Sequence, residues 1–338
     1  MTPVSVGDLS RSLQLRRNLS DLQGSQTRLT GELSSGLRAD PAAAMGGDHR
    51  RLAAIDRSLE LTAAWKASVA EAQVFSGAVA TALGTLQAAA EDTGVRMLSA
   101  TNLASPAQVD ALAAEARERL GTAVAALNTQ AGGRYVMSGT ATDTRPLVDA
   151  GTLLSALGTA ITGQVTVSGI EAAVTAWFDA PAGGGGYLDL AYGGNATPPG
   201  PFALGEGEAA AVPATAADQP VRDTLRGLAL AALVAGGTLA GDPAGRAGLV
   251  AAAGRTAVAG AGALVATRAE VGVIEERIAD AGARADAAAA AFGIARSGIV
   301  AADPYETAAE LTRVQSQIET LYALTARLSR LSLTDWLR

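Results

Sequence analysis

Two segments near opposite ends of the chain carry leucine-rich stripes with the spacing of a coiled coil. Mostly apolar residues recur alternately three and four positions apart over residues 15–33 and again over 311–328, which predicts two helices that each have one apolar face. The second stripe includes Thr325, and Leu324 and Leu331 widen it. Gln26 occupies an a position of the first stripe, where a polar residue costs stability but can fix the register of pairing. The predicted interface residues are Leu15, Leu19, Leu22, Gln26, Leu29, Leu33, Leu311, Val314, Ile318, Leu321, Leu324, Leu328 and Leu331.

A second face of the first helix carries two glycines. Gly24 and Gly31 lie seven residues apart, and each costs about 1 kcal/mol relative to alanine inside a helix. Two explanations remain open at this point. Either a second helix approaches closely on this face, or the glycines have no packing role.

Helical patterns also occupy much of the chain between the stripes. We predict long helices over residues 49–100, 218–234 and 244–296, and one that starts after Ser105-Pro106 and ends near Gly132. The last helix has the clearest start, because Asp303-Pro304-Tyr305-Glu306 supplies an N-cap acid, a proline at the first position and a glutamate at the third.

Residues 135–217 have a different character, with frequent Gly, Pro and Thr. Alternation over 164–168 and over 187–192 predicts two strands. The predicted fold class is therefore α+β and mostly helical: long terminal helices form a coiled-coil-like bundle, and a small β-containing domain is inserted between them. The predicted domains are an N-terminal helical region, an inserted outer domain and a C-terminal helical region, at residues 1–140, 141–217 and 218–338.

Composition and charge fit this division. Hydrophobic residues make up 49% of the chain but aromatic residues only 4%, which favours long helices with close neighbours over a core of large side chains. Residues 139–243 hold ten acids and three arginines, which accounts for the whole net charge of −7. The flanks are balanced and suited to packing against copies of themselves, whereas the acidic middle favours solvent. No basic nucleic-acid footprint is present, so we expect no nucleic-acid partner.

The residues needed for catalysis or cofactor binding are scarce. The absence of Cys excludes disulfides, thiolate catalysis and Cys-ligated zinc. His49 is the single histidine, and its place near a helix start indicates a solvated terminal residue. The run Gly183-Gly184-Gly185-Gly186 is far from the single lysine, Lys66, and is no phosphate loop. Gly260-Ala261-Gly262 lacks the third glycine of a dinucleotide fingerprint. We expect a protein without enzymatic activity, cofactor or metal.

The targeting signals are equally sparse. The first eight residues lack the apolar core of a secretory signal peptide, and the apolar stretch at residues 228–234 is too short to span a bilayer. We therefore expect no membrane insertion. These features suit a soluble cytoplasmic protein, but an export route without a cleaved signal would leave the same sequence.

Three segments resemble the flagellin superfamily. Residues 302–328, which begin Ala-Asp-Pro-Tyr-Glu-Thr-Ala-Ala-Glu-Leu-Thr, resemble its closing helix, and residues 33–38, Leu-Ser-Ser-Gly-Leu-Arg, resemble the end of its first helix. The Ala-Asp-Pro at 39–41 departs from the usual continuation and argues against the main filament protein. Residues 133–140, Gly-Arg-Tyr-Val-Met-Ser-Gly-Thr, are similar to the segment through which hook–filament junction members enter their outer domain; an ordinary helix-to-strand exit is the alternative.

The resemblance implies a structural subunit of the bacterial flagellum that joins a hook-associated protein to the filament. Such subunits leave the cell unfolded through the flagellar type III export channel, and their terminal helices pack with those of neighbours into a tube. The implied location is extracellular, and the implied partners are copies of itself in a ring, flagellin, the neighbouring hook-associated protein and an export chaperone. Two alternatives remain: a flagellin filament subunit and a cytoplasmic helical scaffold or signalling module.

Overall fold

Helices dominate the described part of the chain. The computed structural model describes residues 6–44, 49–98 and 105–336. Within these residues the helices are α1 (Val6–Ser35), α2 (Pro41–Ala44), α3 (Arg50–Leu98), α4 (Pro106–Leu127), α5 (Ala150–Ala160), α6 (Val167–Asp179), α7 (Tyr187–Leu190), α8 (Gln219–Ala235), α9 (Pro243–Val300) and α10 (Pro304–Trp336). Two antiparallel hairpins are formed by β1 (Gln130–Ala131) with β2 (Arg134–Tyr135) and by β3 (Phe202–Gly205) with β4 (Glu208–Ala210). The mostly helical fold class with a small β region is confirmed.

The predicted helix starts are formed by the expected side chains. The hydroxyl of Ser105 accepts a hydrogen bond from the backbone N–H of Gln108, whose side chain accepts one from the Ser105 N–H. The Asp303 carboxylate accepts from the backbone N–H groups of Tyr305 and Glu306, at 2.8 and 3.2 Å. These bonds satisfy donors that a helix terminus otherwise leaves unpaired.

The two strands predicted in the middle of the chain are wrong. Thr166 accepts a hydrogen bond from the Gly169 N–H and caps α6, which begins at Val167, inside the segment predicted as the first strand. The second segment forms the short helix α7. Apolar alternation over five or six residues is a weak signal, and local capping with tertiary burial prevails here. The inserted region therefore contains three helices, and its only hairpin within the described residues is β3–β4.

Contacts divide the chain into two compact units. We call residues 1–61 with 288–338 the terminal unit, and residues 62–287 the central unit. Both boundaries fall inside long helices, α3 and α9, each of which contributes to both units. The predicted three domains describe a functional division and remain a proposal.

Small residues bring the helices of the central unit close together. Gly94 of α3 lies against Gly254 and Val258 of α9. Gly227 of α8 lies so close to Ala257 of α9 that an added Cβ would overlap its backbone. Because interhelical distance depends on the side chains at the contact, these positions require glycine. Glycine and alanine thus allow the helices of this core to pack closely.

Four aromatic residues of the central unit gather in one cluster. Trp177, Phe178, Tyr187 and Tyr192 pack with ring centroids 5.1–6.5 Å apart. The Tyr187 hydroxyl donates to the Ala216 carbonyl at 2.7 Å. Burial raises the pKa of Tyr187 above its ordinary value and raises that of Tyr192 to about 12. Both phenols are therefore neutral hydrogen-bond donors at physiological pH.

Two described helices, α3 and α9, are long and apolar enough to cross a bilayer by length and composition alone. In their most apolar windows, 44% and 50% of the residues are buried inside the protein. Core helices of soluble proteins meet the same criterion, so this property is weak evidence for membrane insertion.

We predict that Gly227→Ala destabilises the central unit. The added methyl overlaps the backbone of Ala257, so α8 and α9 must separate, at a cost of about 1–3 kcal/mol. Gly262→Ala is the matched control, because Gly262 is an exposed α9 residue with open space around its Cβ position, and it should gain about 0.5–1 kcal/mol. Urea denaturation followed by circular dichroism measures both. Equal midpoints for the two variants would contradict the proposed close contact.

Candidate assembly site

The two leucine stripes meet within one chain. The N–H of Arg38 donates to the carbonyl of Val300 at 2.8 Å, and the N–H of Ala302 donates to Gly36 at 2.9 Å. Farther along, the Gln23 amide lies 3.5 Å from the Tyr322 hydroxyl. Residue numbers fall along α1 as those of the contacting residues rise along α10, so the two helices run antiparallel. The resemblance implied that each stripe packs with helices of neighbouring subunits. In the structure, each stripe packs first with the other stripe of the same chain.

Pairing of α1 with α10 covers the predicted interface residues unequally. Leu29 and Val314 are buried, with 1% and 6% of their surface exposed, whereas Leu33 and Leu324 retain 41% and 48%. Leu328 and Leu331 belong to α10, but their side chains lie outside the described residues. The half-buried remainder comprises Leu15, Leu19, Leu22, Gln26, Leu311, Ile318 and Leu321.

An apolar groove of about 560 Å³ runs along this helix pair. Leu22, Leu321 and Leu324 provide its apolar surface. The other lining residues are polar or charged: Asn18, Asp21, Arg313, Ser316, Gln317 and Thr320. An apolar centre with a polar rim is the usual anatomy of a protein-binding patch. We call it the α1–α10 groove.

The glycine face of α1 is also open. At both Gly24 and Gly31 the position of an added Cβ has no other described atom within 4 Å. Within the described chain, therefore, no second helix approaches this face. If the glycines serve close packing, the neighbour must come from another molecule.

The Ala-Asp-Pro sequence at residues 39–41, which departs from the usual flagellin pattern, has a clear structural role. Glu32 is 8% exposed, and its carboxylate accepts hydrogen bonds from Arg28 and from the Ala39 N–H, both at 3.0 Å. The Asp40 carboxylate accepts from the Ala43 N–H at 3.0 Å and thereby caps α2, with Pro41 at its first position. Ala-Asp-Pro thus ends the loop after α1 and begins a new helical turn.

The segment at residues 133–140 is fixed tightly in the central unit. Gly132 and Gly133 have φ angles of 58° and 77° and form the two-residue turn between β1 and β2, where such a turn favours glycine. Gly139, with φ of 63°, passes so close to the carbonyl oxygens of Asn195 and Thr197 that a Cβ would overlap them. Backbone geometry therefore explains why these positions are glycine in this chain.

Sequence reasoning missed the role of Arg134. Its guanidinium lies 5.8 Å from the ring centroids of both Phe75 and Phe202, and it forms an ion pair with Glu71. Phe75 and Phe202 are far apart in the sequence, so no local pattern could have brought these groups together. They form a cation–π cluster.

The groups considered for other chemistry have structural roles. His49 is exposed beside the start of α3. The N–H groups of Gly183 and Gly185 donate to the Asp189 carboxylate at 2.8 and 2.7 Å, which lowers the pKa of Asp189 and occupies donors that a phosphate would need. Gly260 lies within α9 against Thr224. Among the described residues no cluster of three or more His, Cys, Asp or Glu side chains suits a metal ion.

Comparison with known protein families gives one match. Residues 259–337 match the family model of the bacterial flagellin C-terminal helical region. The match covers the second part of α9 and all of α10, roughly a quarter of the chain. It supports the flagellin superfamily and, with it, a structural, self-assembling component of the bacterial flagellum. Comparison with curated proteins gave no significant match.

We predict that Leu29→Ala loosens the free protein far more than Leu33→Ala does. Leu29 is buried between α1 and α10, where truncation costs about 2–5 kcal/mol. Leu33 is half exposed on the same helix, so its truncation should cost much less, within about 1 kcal/mol. Hydrogen exchange of the α1 and α10 amides in dilute monomer measures the difference. Equal effects would mean that α1 and α10 do not pair before assembly.

Proposed function

We propose that this protein is hook-associated protein 3, a structural subunit that joins the neighbouring hook-associated protein to the flagellin filament. It is exported by the flagellar type III system with an export chaperone and acts outside the cell, where copies assemble into a ring. The proposal rests above all on the flagellin-type C-terminal helix, which pairs with α1 and leaves an apolar groove uncovered. The similarity of residues 133–140 to junction proteins favours the junction over the filament.

The α1–α10 pair supplies half of an interface in each subunit. Leu324 on the groove side remains half exposed, and the outer face of α1 offers two glycines with open space around them. A helix from a neighbouring copy could bury the leucine surface, at about 1.5–3 kcal/mol for each fully buried leucine. Repetition around a ring multiplies this gain, so modest contacts suffice for stable assembly.

The inserted region is proposed to be the outer domain. Residues 141–217 carry acidic residues and only Arg145 as a base, and their helices α5 to α7 pack around the aromatic cluster rather than present a leucine stripe. An acidic surface repels identical copies. We therefore assign assembly to α1 and α10 and solvent exposure to this region.

Flagellin itself is the second candidate, because the matching family model describes the flagellin C-terminal region. The two candidates share export, extracellular location and assembly through terminal helices. They differ in position and copy number: a junction protein occupies one short zone, whereas a filament protein extends along the whole filament.

We predict that an epitope-tagged copy is found at the base of the filament. Immunogold electron microscopy of motile cells should show label in one zone next to the hook, and deletion should leave hooks without filaments and flagellin in the medium. Label along the whole filament would establish the flagellin alternative. Label confined to the cytoplasm would contradict both.

We predict that Leu324→Asp blocks assembly without unfolding the subunit. The side chain is 48% exposed in the free chain, so the charge is tolerated there, but burial of an unpaired carboxylate under a neighbour costs several kcal/mol. Gln315→Asp is the matched control, since it is exposed and nine residues away, on roughly the opposite face of α10. Circular dichroism checks the fold, and motility with electron microscopy checks attachment. Normal filaments on Leu324→Asp cells would remove the groove from the interface.

A further inference from the structure

The β3–β4 hairpin of the central unit depends on contacts outside itself. Its two strands pair Phe202 with Ala210 and Gly205 with Glu208, and Gly207 takes a φ of 70° in the turn. An isolated two-stranded hairpin is at best marginally stable in water. Whatever holds this hairpin in place must therefore come from the elements beneath it.

The open end of the hairpin is held on α3 by aromatic contacts. Phe202 packs on Phe75 with ring centroids 5.5 Å apart, and both are nearly buried. The guanidinium of Arg134 lies 5.8 Å from each ring, and Glu71 on α3 pairs with the same arginine. Burial makes the contact between the two rings insensitive to dissolved salt. The Arg134–Glu71 pair, with 39% and 56% of its side chains exposed, is screened by salt, so the rings are what hold this end.

The turn end is held on α9 by ionic and polar contacts. The Glu208 carboxylate lies 2.6 Å from the guanidinium of Arg284, and Arg277 donates to the Ala209 carbonyl at 3.4 Å. The paired side chains of Glu208 and Arg284 are 35% and 58% exposed. Exposed pairs of this kind are weak and are screened by salt.

The two anchors lie on different helices that are themselves in contact at this level. Gly282 of α9 packs near Val69 of α3, and Gly77 of α3 lies within reach of Glu275 of α9. The hairpin therefore connects α3 to α9 beside the place where these two helices contact each other. Its aromatic attachment to α3 is durable, and its ionic attachment to α9 is weak.

We propose that the β3–β4 hairpin is a strap across α3 and α9 that opens from its turn end when the ionic contact to α9 is screened, while its aromatic end stays docked on α3. The strap opens as a local unit and not through unfolding of the helices. Ionic strength then sets the fraction of time for which the strap spans both helices.

Hydrogen exchange with mass spectrometry on the full chain tests the strap. Spectra are compared at about 0.01 M and about 1 M NaCl, between which the Debye length falls from about 30 to about 3 Å. We expect residues 205–209 to exchange roughly two- to fivefold faster in high salt, with unchanged exchange over residues 69–79 of α3. Equal exchange of the turn at both salt concentrations, or loss of protection in α3 and the turn together, would overturn the proposal.

Charge variants identify the contact. Arg284→Glu should speed exchange of the turn in low salt and reverse the sign of its salt dependence, because salt screens the repulsion between two facing carboxylates. The double variant Glu208→Arg with Arg284→Glu should restore both. Glu206→Arg is the matched control, because Glu206 is exposed in the same turn, and it should leave the salt dependence intact. Failure of the double variant to restore protection would show that the Glu208–Arg284 pair does not hold the turn.

Discussion

Close approach of helix backbones is the constraint on which the central unit depends. Where Gly227 meets Ala257 and Gly94 meets Gly254, a methyl group would overlap its neighbour. These contacts set the spacing of α3, α8 and α9, and that spacing decides which larger side chains fit between them. Since packed interiors leave few voids, small residues at the crossings and leucines beside them must be matched.

The terminal unit follows a different principle. Its α1–α10 pair is held by one narrow line of contacts, with Leu29 and Val314 well buried and Leu33 and Leu324 half exposed. A pair of helices buries only the side chains that face each other. The α1–α10 pair therefore leaves part of its apolar surface uncovered within the described residues, whereas the helices of the central unit bury most of theirs against one another.

Much of this architecture could be predicted from the sequence, for physical reasons that differ by element. Long helices have strong periodicity, and caps such as Ser105 and Asp303 act locally, so both were predictable. The short segments at 164–168 and 187–192 were mispredicted, because Thr166 capping and burial of Tyr187 outweigh a brief alternation. The pairing of α1 with α10 and the cluster of Arg134, Phe75 and Phe202 depend on distant residues, which a single sequence does not place together.

The width of the C-terminal stripe explains why α1 alone does not cover it. A strict a/d seam is narrow and is satisfied by one partner, whereas an apolar face wider than about 100° requires a second. Leu311, Val314 and Ile318 follow the seam, and the half-buried Leu321 continues it. Leu324 lies beyond the seam and lines the α1–α10 groove beside Leu321. Its exposure is thus a consequence of helix geometry, and a third helix beside the groove is the arrangement that would cover it.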